Sequence, residues 1–585
     1  MTLPDQPNFK THFAELFHHA ASKIAPPDLT LHVELARTKQ AKHGDYSCNL
    51  AMQLAKPLHK NPREIATLLI DALPPSPFLE KIEIAGAGFI NLFLKISAKQ
   101  QFPYYVLQHG NNFGRRNVGT GKKIQVEFVS ANPTGPLHVG HGRGAAFGAS
   151  LANVLTAAGF TVTREYYVND AGRQMDILAL STWLRYLQLN GYTIPFPNNA
   201  YQGEYVRDMA QLIVKAHGKR YVHQPSQLLQ DLSSTTSKAD IDEEGQLNQW
   251  IASAKKILGE DYAYIHNFAL TEQLGDCRND LMEFGVEFDT WFSEQSLFDN
   301  GMVAHAAELL EKKNYLYQQD GATWFRSTHF GDEKDRVVQR ENGQFTYFAS
   351  DIAYHLNKFE RGFDQIIDVW GADHHGYVPR IKGAMQALAL DSEKLDIALV
   401  QFAVLYREGK KAPMSTRSGE FVTLRDLRQE VGKDAARFFY VMRKSDQHLD
   451  FDLDLAKTQS NDNPVYYIQY AYARVCSVMA QWNDDAEILH SADTEMLTSP
   501  MELALLQKLI DFPDMVESAA RESAPHLIAF YLRELASEFH SYYNATRFLV
   551  EEIPLRHARL ALVASIQQVL HNGLTLLDVS APEKM

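Results

Sequence analysis

Two short stretches of the chain, residues 124–129 and 161–168, show the alternation of apolar and polar side chains that is typical of half-buried β-strands. Between them, residues 142–158 are rich in Ala and Leu at helical spacing and are followed by Gly159, a residue that commonly ends helices. The pattern predicts strand, loop, helix and strand, which is the nucleotide-binding unit of an open parallel sheet. The loop, residues 130–141, follows the carboxyl end of the first strand, where such sheets bind their ligands.

The amino-terminal part of the chain shows a different pattern. A helical repeat places Ile65, Leu68 and Leu69 on one face, and closely spaced prolines end it. Two strand-like runs follow at 81–84 and 89–94, with glycines between them. The sequence therefore predicts a separate α+β unit at the amino terminus.

The remaining patterns concern the middle and the end of the chain. An apolar run at 366–370 predicts another buried strand, whereas residues 225–245 are mostly polar and charged and predict a mobile loop. From about Leu455 onward the pattern is helical, with tyrosines at a spacing more typical of packed side chains than of base-stacking surfaces. These tyrosines are Tyr466, Tyr467, Tyr470 and Tyr472.

Composition limits the class of protein without choosing its function. The 585 residues are 45% hydrophobic, which suffices for several cores, and length alone suggests three or four domains. The three cysteines, Cys48, Cys277 and Cys476, lie far apart and support neither a zinc site nor disulfides. Because no apolar signal segment or long apolar run occurs, we expect a soluble cytoplasmic protein. The net charge of −14 does not favour a nucleic-acid partner.

The loop after the first strand contains His138-Val139-Gly140-His141 at the predicted start of a helix. Free N–H groups and the helix dipole favour phosphate at that position. Gly140 has no Cβ, so a flat adenine can pack on the backbone, and both histidines can donate hydrogen bonds to an α-phosphate as it becomes five-coordinate. Neither common glycine-rich phosphate loop fits this segment. Two ordinary loop histidines would explain an isolated H-x-G-H about as well, so the flanking residues decide.

Those flanking residues resemble a known family. The string SANPTGPLHVGH at 130–141, followed by GRGAAFG, resembles the adenylate-forming motif of class I aminoacyl-tRNA synthetases, and specifically that of arginyl-tRNA synthetases. Similar resemblances cover nearly the whole chain; they occur at 43–56, 85–94, 346–364, 370–380, 463–475 and 576–585. The residues of the adenylate motif itself are Ala131, Asn132, Pro133, Thr134, Gly135, Pro136, Leu137, His138, Val139, Gly140 and His141.

The resemblance implies a three-domain architecture. Residues 1–115 would form an α+β domain that contacts tRNA, although simple stabilisation of the core is an alternative role for it. Residues 116–455 would form a Rossmann-like α/β catalytic domain with a parallel sheet, interrupted by an insertion at about 171–345. Residues 456–585 would form an all-α bundle that binds the anticodon. We expect the insertion to be structural or to contact tRNA.

The amino-acid pocket follows from what arginine demands, because a planar cation with five donors pairs with carboxylates. Glu127 lies on the first strand near the loop, and Tyr347 and Asp351 lie four residues apart at a predicted strand-to-helix junction. Taken singly, either carboxylate could be a solvated strand end or a helix cap. The resemblance implies an arginine site at these motif positions. The predicted arginine-binding residues are Glu127, Ser130, Asn132, His141, Tyr347, Asp351, Asp373 and His374.

The resemblance also implies an ATP site and a mobile loop that closes over the triphosphate. The predicted ATP-binding residues are Gly135, His138, Gly140, His141, Gly371, Asp373, His374, Met414 and Ser415. Residues 410–419 resemble the K-M-S-K-S loop, but Pro413 and Thr416 replace its two lysines, and Pro136 stands where some members carry a substitute lysine. The predicted catalytic residues are therefore His138, His141, Lys410, Lys411 and Arg417, with Arg143 as a further candidate cation.

The implied reaction is the ATP-dependent ligation of L-arginine to tRNA(Arg) through an arginyl-adenylate. Because the substrate carboxylate is already ionised, it attacks the α-phosphorus without a general base, and Mg²⁺ would help to neutralise the phosphates. We expect a monomer with no metal site of its own. Three alternatives are a class I synthetase for another amino acid, a nucleotidyltransferase with the same H-x-G-H loop, and a catalytically silent tRNA-binding relative.

Overall fold

The computed structural model of the chain describes residues 7–26, 29–38, 40–223, 226–228, 230, 242–412 and 422–585. Its amino-terminal part is an antiparallel sheet in the order β1-β2-β4-β3 with helices packed against it. The elements are α1 (Phe9–Ser22), β1 (Leu35–Arg37), β2 (Tyr46–Cys48), α2 (Leu50–Leu58), α3 (Pro62–Ala72), β3 (Leu79–Ala85), β4 (Phe89–Leu94), α4 (Ile96–Gln100) and α5 (Phe102–His109). An α+β fold is thus confirmed for this part of the chain.

Helix α3 is the helix that the apolar repeat predicts, but its buried face is rotated slightly about the helix axis. The Asn61 side chain caps it by accepting a hydrogen bond from the Arg63 amide. Ile65 and Leu69 are buried, whereas Leu68, which the repeat places on the same face, is 37% exposed. Ala66 is buried instead, so the buried face is shifted towards Ala66.

The central domain begins with the predicted strand, loop, helix and strand. Strand β5 (Lys123–Glu127) leads into α6 (Val139–Ala157), and β6 (Thr161–Val168) pairs parallel with β5. Helices with an apolar core of their own follow, and they include α7 (Arg173–Leu189), α8 (Glu204–His217), α9 (Glu243–Leu258) and α10 (Asp261–Glu283). The last residues of the predicted mobile segment 225–245 are not a loop, because Asp242 caps α9; residues 231–241 lie outside the described residues.

The chain then returns to the parallel sheet, leaves it for a small antiparallel sheet, and returns again. The elements are β7 (Thr290–Ser293), α11 (Gln295–Asp299), α12 (Met302–Lys312), β8 (Leu316–Gln319), β9 (Ala322–Phe325), β10 (Arg336–Gln339), α13 (Tyr347–Glu360), β11 (Gln365–Gly371), α14 (Val378–Ala387) and β12 (Leu395–Val400). Strand β7 lies inside the segment predicted as an insertion, yet it extends the central sheet. The segment 171–345 is therefore not a single inserted block.

The central sheet has the order β12-β11-β5-β6-β7 with every neighbouring pair parallel. The strand order reverses between β5 and β11, where Glu127 pairs with Asp368 in register. Open α/β sheets bind ligands in the crevice at the carboxyl ends of such strands, because the loops diverge there. The Rossmann-like fold class is confirmed, and the reversal places the candidate site at the loops after β5 and β11.

The rest of the chain connects the sheet to a helical bundle. The elements are β13 (Ala403–Arg407), β14 (Lys410–Lys411), α15 (Leu424–Val431), α16 (Lys433–Val441), β15 (Leu449–Asp452), α17 (Leu453–Lys457), α18 (Pro464–Trp482), α19 (Pro500–Arg521), α20 (His526–Ala545) and α21 (Ile553–Leu576). The tyrosines predicted as packed side chains of α18 are only half-buried, and the rings of Tyr466 and Tyr470 stack at 5.9 Å. None of the helices in the described ranges has the length and apolarity needed to cross a bilayer.

Candidate active site

The loop after β5 turns sharply and is held from two sides. Val129 and Ser130 adopt left-handed backbone conformations, with φ of 67° and 42°, which turn the chain away from the strand. The Tyr166 hydroxyl on β6 donates to the Ala131 carbonyl at 2.7 Å, and the Tyr205 hydroxyl on α8 donates to the Thr134 carbonyl at 2.6 Å. Both the central sheet and the inserted helices therefore fix the course of the motif.

The two motif histidines cap the helix that they begin. His138 is the N-cap of α6, and its Nδ1 accepts a hydrogen bond from the Gly140 amide at 3.1 Å. The Nδ1 of His141 accepts from the His138 amide at 3.3 Å. Because each Nδ1 acts as an acceptor, the proton of each neutral ring belongs on Nε2. Both histidines therefore present an Nε2–H donor at the amino end of α6.

Burial keeps both imidazoles neutral. It lowers the pKa of His138, and it lowers the pKa of His141 to about 3, with a further contribution from the neighbouring His138 ring. The two ring centroids are 3.7 Å apart. Two neutral rings can lie this close, whereas two imidazolium ions would repel each other.

Steric contacts explain why residue 140 is a glycine in this fold. A Cβ added to it would lie 2.8 Å from the His138 ring and 3.6 Å from Phe402. The glycine is therefore needed for the His138 ring to fold back over the amide of Gly140. Packing of adenine against the same backbone stays a prediction.

Of the predicted arginine carboxylates, Glu127 is buried and Asp351 is half-buried, and each is held by a neighbouring side chain. Ser130 Oγ donates to Glu127 Oε1 at 2.8 Å, and Lys358 Nζ contacts Glu127 Oε2 at 2.5 Å. The Tyr377 hydroxyl donates to Asp351. Burial raises the pKa of Glu127 and of Asp351, while Lys358 lowers the former and Tyr377 the latter. These carboxylates therefore lie in a region that would bind a further cation strongly, in addition to the ammonium of Lys358.

The remaining predicted arginine residues surround this region less closely. Asn132 donates to Gln174 at the start of α7 at 2.7 Å. Tyr347 is the first residue of α13 and is 53% exposed; its hydroxyl would lie 3.2 Å from a Cβ added to Gly172. Both side chains thus face the segment that opens α7.

The residues after β11 lie at the strand end next to β5, as the sequence predicts. A Cβ on Gly371 would lie 2.4 Å from the Asp373 carboxylate, so this side chain folds over the glycine. The side chains of Asp373 and His374 are each 60% exposed, and His374 Nε2 lies 3.7 Å from the Asp373 carboxylate. They are therefore accessible to a ligand placed at this edge of the sheet.

Sequence reasoning missed a group of buried polar residues around the pocket. Lys358 contacts Asp368 at 2.6 Å as well as Glu127, and His355 contacts the other Asp368 oxygen at 2.8 Å. Asp351, His355 and Lys358 are spaced i, i+4 and i+7, which aligns them on one face of α13. Three polar residues on the buried face of an amphipathic helix were the signal that could have revealed them.

A further missed pair consists of Glu294 and Tyr167. Glu294 follows β7 and is 3% exposed, and its Oε1 accepts a hydrogen bond from Ser350 at 2.8 Å. The Tyr167 hydroxyl lies beside this carboxylate, and burial and the interaction of the two groups raise the pKa of Tyr167. Burial raises the pKa of Glu294, and the charge of Asp351 adds to the shift, whereas Ser350 and Tyr167 lower it.

The predicted closing loop is anchored to the histidine motif. Lys410 and Lys411 are exposed on β14 and pair with Arg407 and Tyr406 of β13. Met414, Ser415 and Arg417 lie outside the described residues. Beyond them, the Val139 amide donates to the Val422 carbonyl at 3.1 Å, so the far end of the loop starts directly beside His138.

Arg143 is not available as a cation for the phosphates. It is 1% exposed and donates to three backbone carbonyls, those of Gln401, Lys444 and Gln447, at 2.7–2.8 Å. The suggestion that it could replace the missing loop lysines was therefore wrong, because its guanidinium is used to join α6 to the segments around β13 and β15.

Models of known protein families match nearly the whole chain, in the order of its three parts. Residues 11–94 match the family described as arginyl tRNA synthetase N terminal domain, residues 104–190 and 184–452 match tRNA synthetases class I (R), catalytic domain, and residues 468–585 match the DALR anticodon binding domain. These matches give no support to a different amino acid or to a separate nucleotidyltransferase.

Individual relatives resemble the chain over its full length. The arginine–tRNA ligase of Nitrosospira multiformis is 73% identical over 100% of both chains, and that of Nitrosomonas eutropha is 67% identical over 99% of both. A solved structure, a putative arginyl-tRNA synthetase from Campylobacter jejuni, is 31% identical with a TM-score of 0.74, covering 84% of this chain and 100% of its own. The chain belongs to the arginine–tRNA ligase family, the arginyl-tRNA synthetases of class I.

Proposed function

We propose that this chain activates arginine with His138 and His141 as neutral hydrogen-bond donors and with Glu127 and Asp351 as carboxylates for the guanidinium. The overall reaction is the ligation of L-arginine to tRNA(Arg), with ATP as a substrate. The observation that carries the proposal is the presence, around the reversal point of the sheet, of two Nε2–H donors, the buried carboxylate of Glu127 and the half-buried Asp351.

In the first step, the arginine carboxylate attacks the α-phosphorus of ATP and pyrophosphate leaves. Negative charge grows on the α-phosphoryl oxygens in the transition state. The Nε2–H groups of His138 and His141 and the amino end of α6 are already oriented, so they stabilise this charge without reorganisation. Because the nucleophile is an ionised carboxylate, the chain contributes alignment and electrostatics and no general base. A ribose hydroxyl of the tRNA then attacks the carbonyl carbon of the arginyl-adenylate, which forms the ester bond to tRNA and releases AMP.

The proposed arginine pocket distinguishes amino acids by the charge of the side chain and by its number of hydrogen-bond donors. Glu127 and Asp351 bind the guanidinium, and the residues around them complete the site; these are Ser130, Asn132, His141, Tyr347, Asp373 and His374. An amino acid without the guanidinium would leave these carboxylates without their cationic ligand, with only the contacts to Ser130, Lys358 and Tyr377. Discrimination of this kind can be large enough to make proofreading unnecessary.

The proposed ATP site extends from the motif to the closing loop. Gly135, His138, Gly140 and His141 contribute from the motif, Gly371, Asp373 and His374 from the end of β11, and Met414 and Ser415 from the loop. Mg²⁺ would enter with the triphosphate, since this ion usually keeps several waters and binds substrate phosphates. The described residues contain no group of three acidic, histidine or cysteine side chains that could hold a metal ion, so the nucleotide oxygens would supply its ligands.

The tRNA would contact the two outer domains. Arg474 of α18 lies over the rings of Tyr470 at 4.5 Å and Tyr543 at 4.6 Å, and the ring stack continues to Tyr466. A cation beside stacked, half-buried aromatic rings suits the anticodon bases. A monomeric, cytoplasmic enzyme remains our expectation.

Two measurements test this proposal. Charging of purified tRNA with labelled arginine tests the overall reaction. Single-turnover adenylate formation by His138→Asn and His141→Asn tests the roles of the histidines, and we expect each rate to fall by roughly a hundredfold or more. His305→Asn, which changes an exposed histidine on α12, is the matched control. Rates close to wild type in both motif variants would overturn the assignment.

A further inference from the structure

We propose that Lys358 is a positioning residue for the reaction: its buried ammonium keeps Glu127 ionised and oriented for the guanidinium of the incoming arginine. This inference rests on the proposed role of Glu127 in the arginine pocket. Lys358 itself lies beneath the pocket and reaches the substrate only through Glu127.

The contacts of Lys358 are unusual for a lysine. It has no exposed surface, and it is the one fully buried lysine among the residues that the structure describes. Its Nζ lies 2.5 Å from Glu127 Oε2 and 2.6 Å from Asp368 Oδ1, and it stands 4.3 Å from the centre of the Tyr354 ring. An ammonium has three donors, and burial of one without such partners would cost several kcal/mol, on the order of the usual desolvation penalty.

Asp368 does not depend on Lys358 alone. Its second oxygen accepts from His355 Nε2 at 2.8 Å, and His355 Nδ1 lies 2.7 Å from the Asp351 carbonyl. With these partners the pKa of Asp368 is lowered to about 2 despite its burial. Among the described residues, Glu127 has only the hydroxyl of Ser130 besides Lys358, so the ammonium is the one cation there in direct contact with its carboxylate.

The charge of Lys358 therefore decides the state of Glu127. The groups that face Glu127 are Asp368 on β11, His355 and Tyr354 on α13, Tyr167 on β6, and Arg361 after α13. Burial and Asp368 favour the protonated form of Glu127, whereas Lys358 and His355 favour the ionised form. Without Lys358 the balance shifts towards a neutral carboxyl, which pairs poorly with a guanidinium.

Lys358→Met tests this role, because it removes the charge and keeps the length of the side chain. We expect the arginine KM of wild type to stay nearly constant between pH of about 6 and 8.5, since the ammonium of Lys358 opposes the effect of burial on the pKa of Glu127. In Lys358→Met we expect the KM to rise by roughly tenfold or more at pH of about 6 and to recover partly at pH of about 8.5. The ATP KM should change much less in both proteins.

Two further variants separate positioning from a merely structural role. In the double variant Glu127→Gln/Lys358→Met position 127 no longer carries a carboxyl, so the pH dependence of the arginine KM that Lys358→Met creates through Glu127 should disappear. Arg361→Met is the control, because it breaks a more exposed ion pair, to the buried Glu165, one turn further along. It should lower stability without creating a pH-dependent KM.

The outcomes distinguish this inference from the proposed function. If Glu127→Gln leaves the arginine KM unchanged at every pH, the pocket itself is misassigned. If Glu127→Gln raises the KM but Lys358→Met gives a flat profile, only the role of Lys358 is overturned. Lys358→Gln, which keeps a donor without the charge, carries the same expectation if the Met variant does not fold. A wild-type KM that rises steeply below pH of about 7 would contradict the inference without any variant.

Discussion

The backbone amide of Leu424 donates a hydrogen bond of 2.7 Å to the carbonyl of Leu137, the residue directly before the first motif histidine. Leu424 is also the first residue of α15, whose N-cap Thr423 forms a capping box with Asp426. The end of the closing loop, the start of α15 and the histidine motif are therefore one connected structure. A change that loosens α15 should affect the chemistry near His138.

The first prediction concerns the ion pairs that hold α15. Arg425 binds Asp276 at 2.6 Å and the buried Asp280 at 2.8 Å, both on α10. We expect Arg425→Ala to slow single-turnover adenylate formation by roughly three- to tenfold, because the loop end loses its support, with little change in the arginine KM. Lys508→Ala, which breaks an ion pair with Glu534 in the helical bundle, is the control. An unchanged rate in Arg425→Ala would show that α15 needs no such support.

The second prediction concerns the arginine carboxylates. Removing one partner of a buried ion pair costs about 3–5 kcal/mol, so Asp351→Ala or Glu127→Ala should lower the arginine kcat/KM by roughly two orders of magnitude or more. Tyr377→Phe removes one hydrogen bond to Asp351, and it should cost roughly three- to thirtyfold in the same parameter. ATP affinity should move much less in all three variants. Steady-state kinetics decide, and near-normal values for both carboxylate variants would misplace the pocket.

The fold was predicted from local sequence patterns, whereas pairings between residues far apart in the sequence were not predicted. Strand β6 has the predicted bounds because alternation is a property of neighbouring residues. Helix α6 begins three residues earlier than the apolar pattern indicates, because the capping box is made by histidines rather than by the usual Ser, Thr or Asp.

The residues of the candidate site also fall into those that local spacing predicts and those that only distant contacts bring together. The motif, Glu127 and Asp351 could be recognised because their spacing lies within short segments. Lys358 could not be assigned to Glu127, because the two are 231 residues apart and meet only when β5 and α13 pack together. The role of Arg417 in the closing loop stays a prediction from the sequence, because this residue lies outside the described residues.

The third prediction concerns tRNA dependence. The motif loop is held by Tyr205 of the inserted helices, and buried residues of α6 belong to one apolar cluster with residues of both outer domains, so a tRNA bound there can act on the site. Resemblance to the family implies that adenylate formation waits for tRNA. We expect arginine-dependent ATP–pyrophosphate exchange to be nearly absent without tRNA(Arg) and to start on its addition. Robust exchange by the enzyme alone would contradict this expectation.

The fourth prediction concerns acid stability. Burial lowers the pKa of His141 to about 3 in the folded protein, whereas an unfolded chain titrates at about 6.5. Between these values the unfolded state binds a proton that the folded state does not, so stability is full above pH of about 6.5 and falls as the pH drops towards 3. We expect His141→Asn to reduce this loss. Urea unfolding midpoints of both proteins at several pH values measure it, and identical slopes against pH would refute the prediction.

The fifth prediction concerns the cations of the closing loop. The transition state places negative charge on the departing pyrophosphate, and a cation contributes most if it arrives only as the loop closes. Thr416 and Pro136 cannot supply that charge, and Arg143 is fully used by backbone carbonyls. Lys410 and Lys411 stand exposed on the hairpin that leads into the loop, and Arg417 follows Thr416 directly.

We therefore expect Lys411→Ala or Arg417→Ala to slow adenylate formation by a factor of roughly ten to a thousand, with little change in the arginine KM. Lys410→Ala tests the third cation in the same assay. Lys313→Ala, at an exposed lysine just after α12, is the matched control for loss of a surface charge. The alternative is that all three loop cations are merely solvated charges, whose removal has little effect. Single-turnover rates decide: three wild-type values would mean that the nucleotide's own Mg²⁺ neutralises the pyrophosphate without help from this loop.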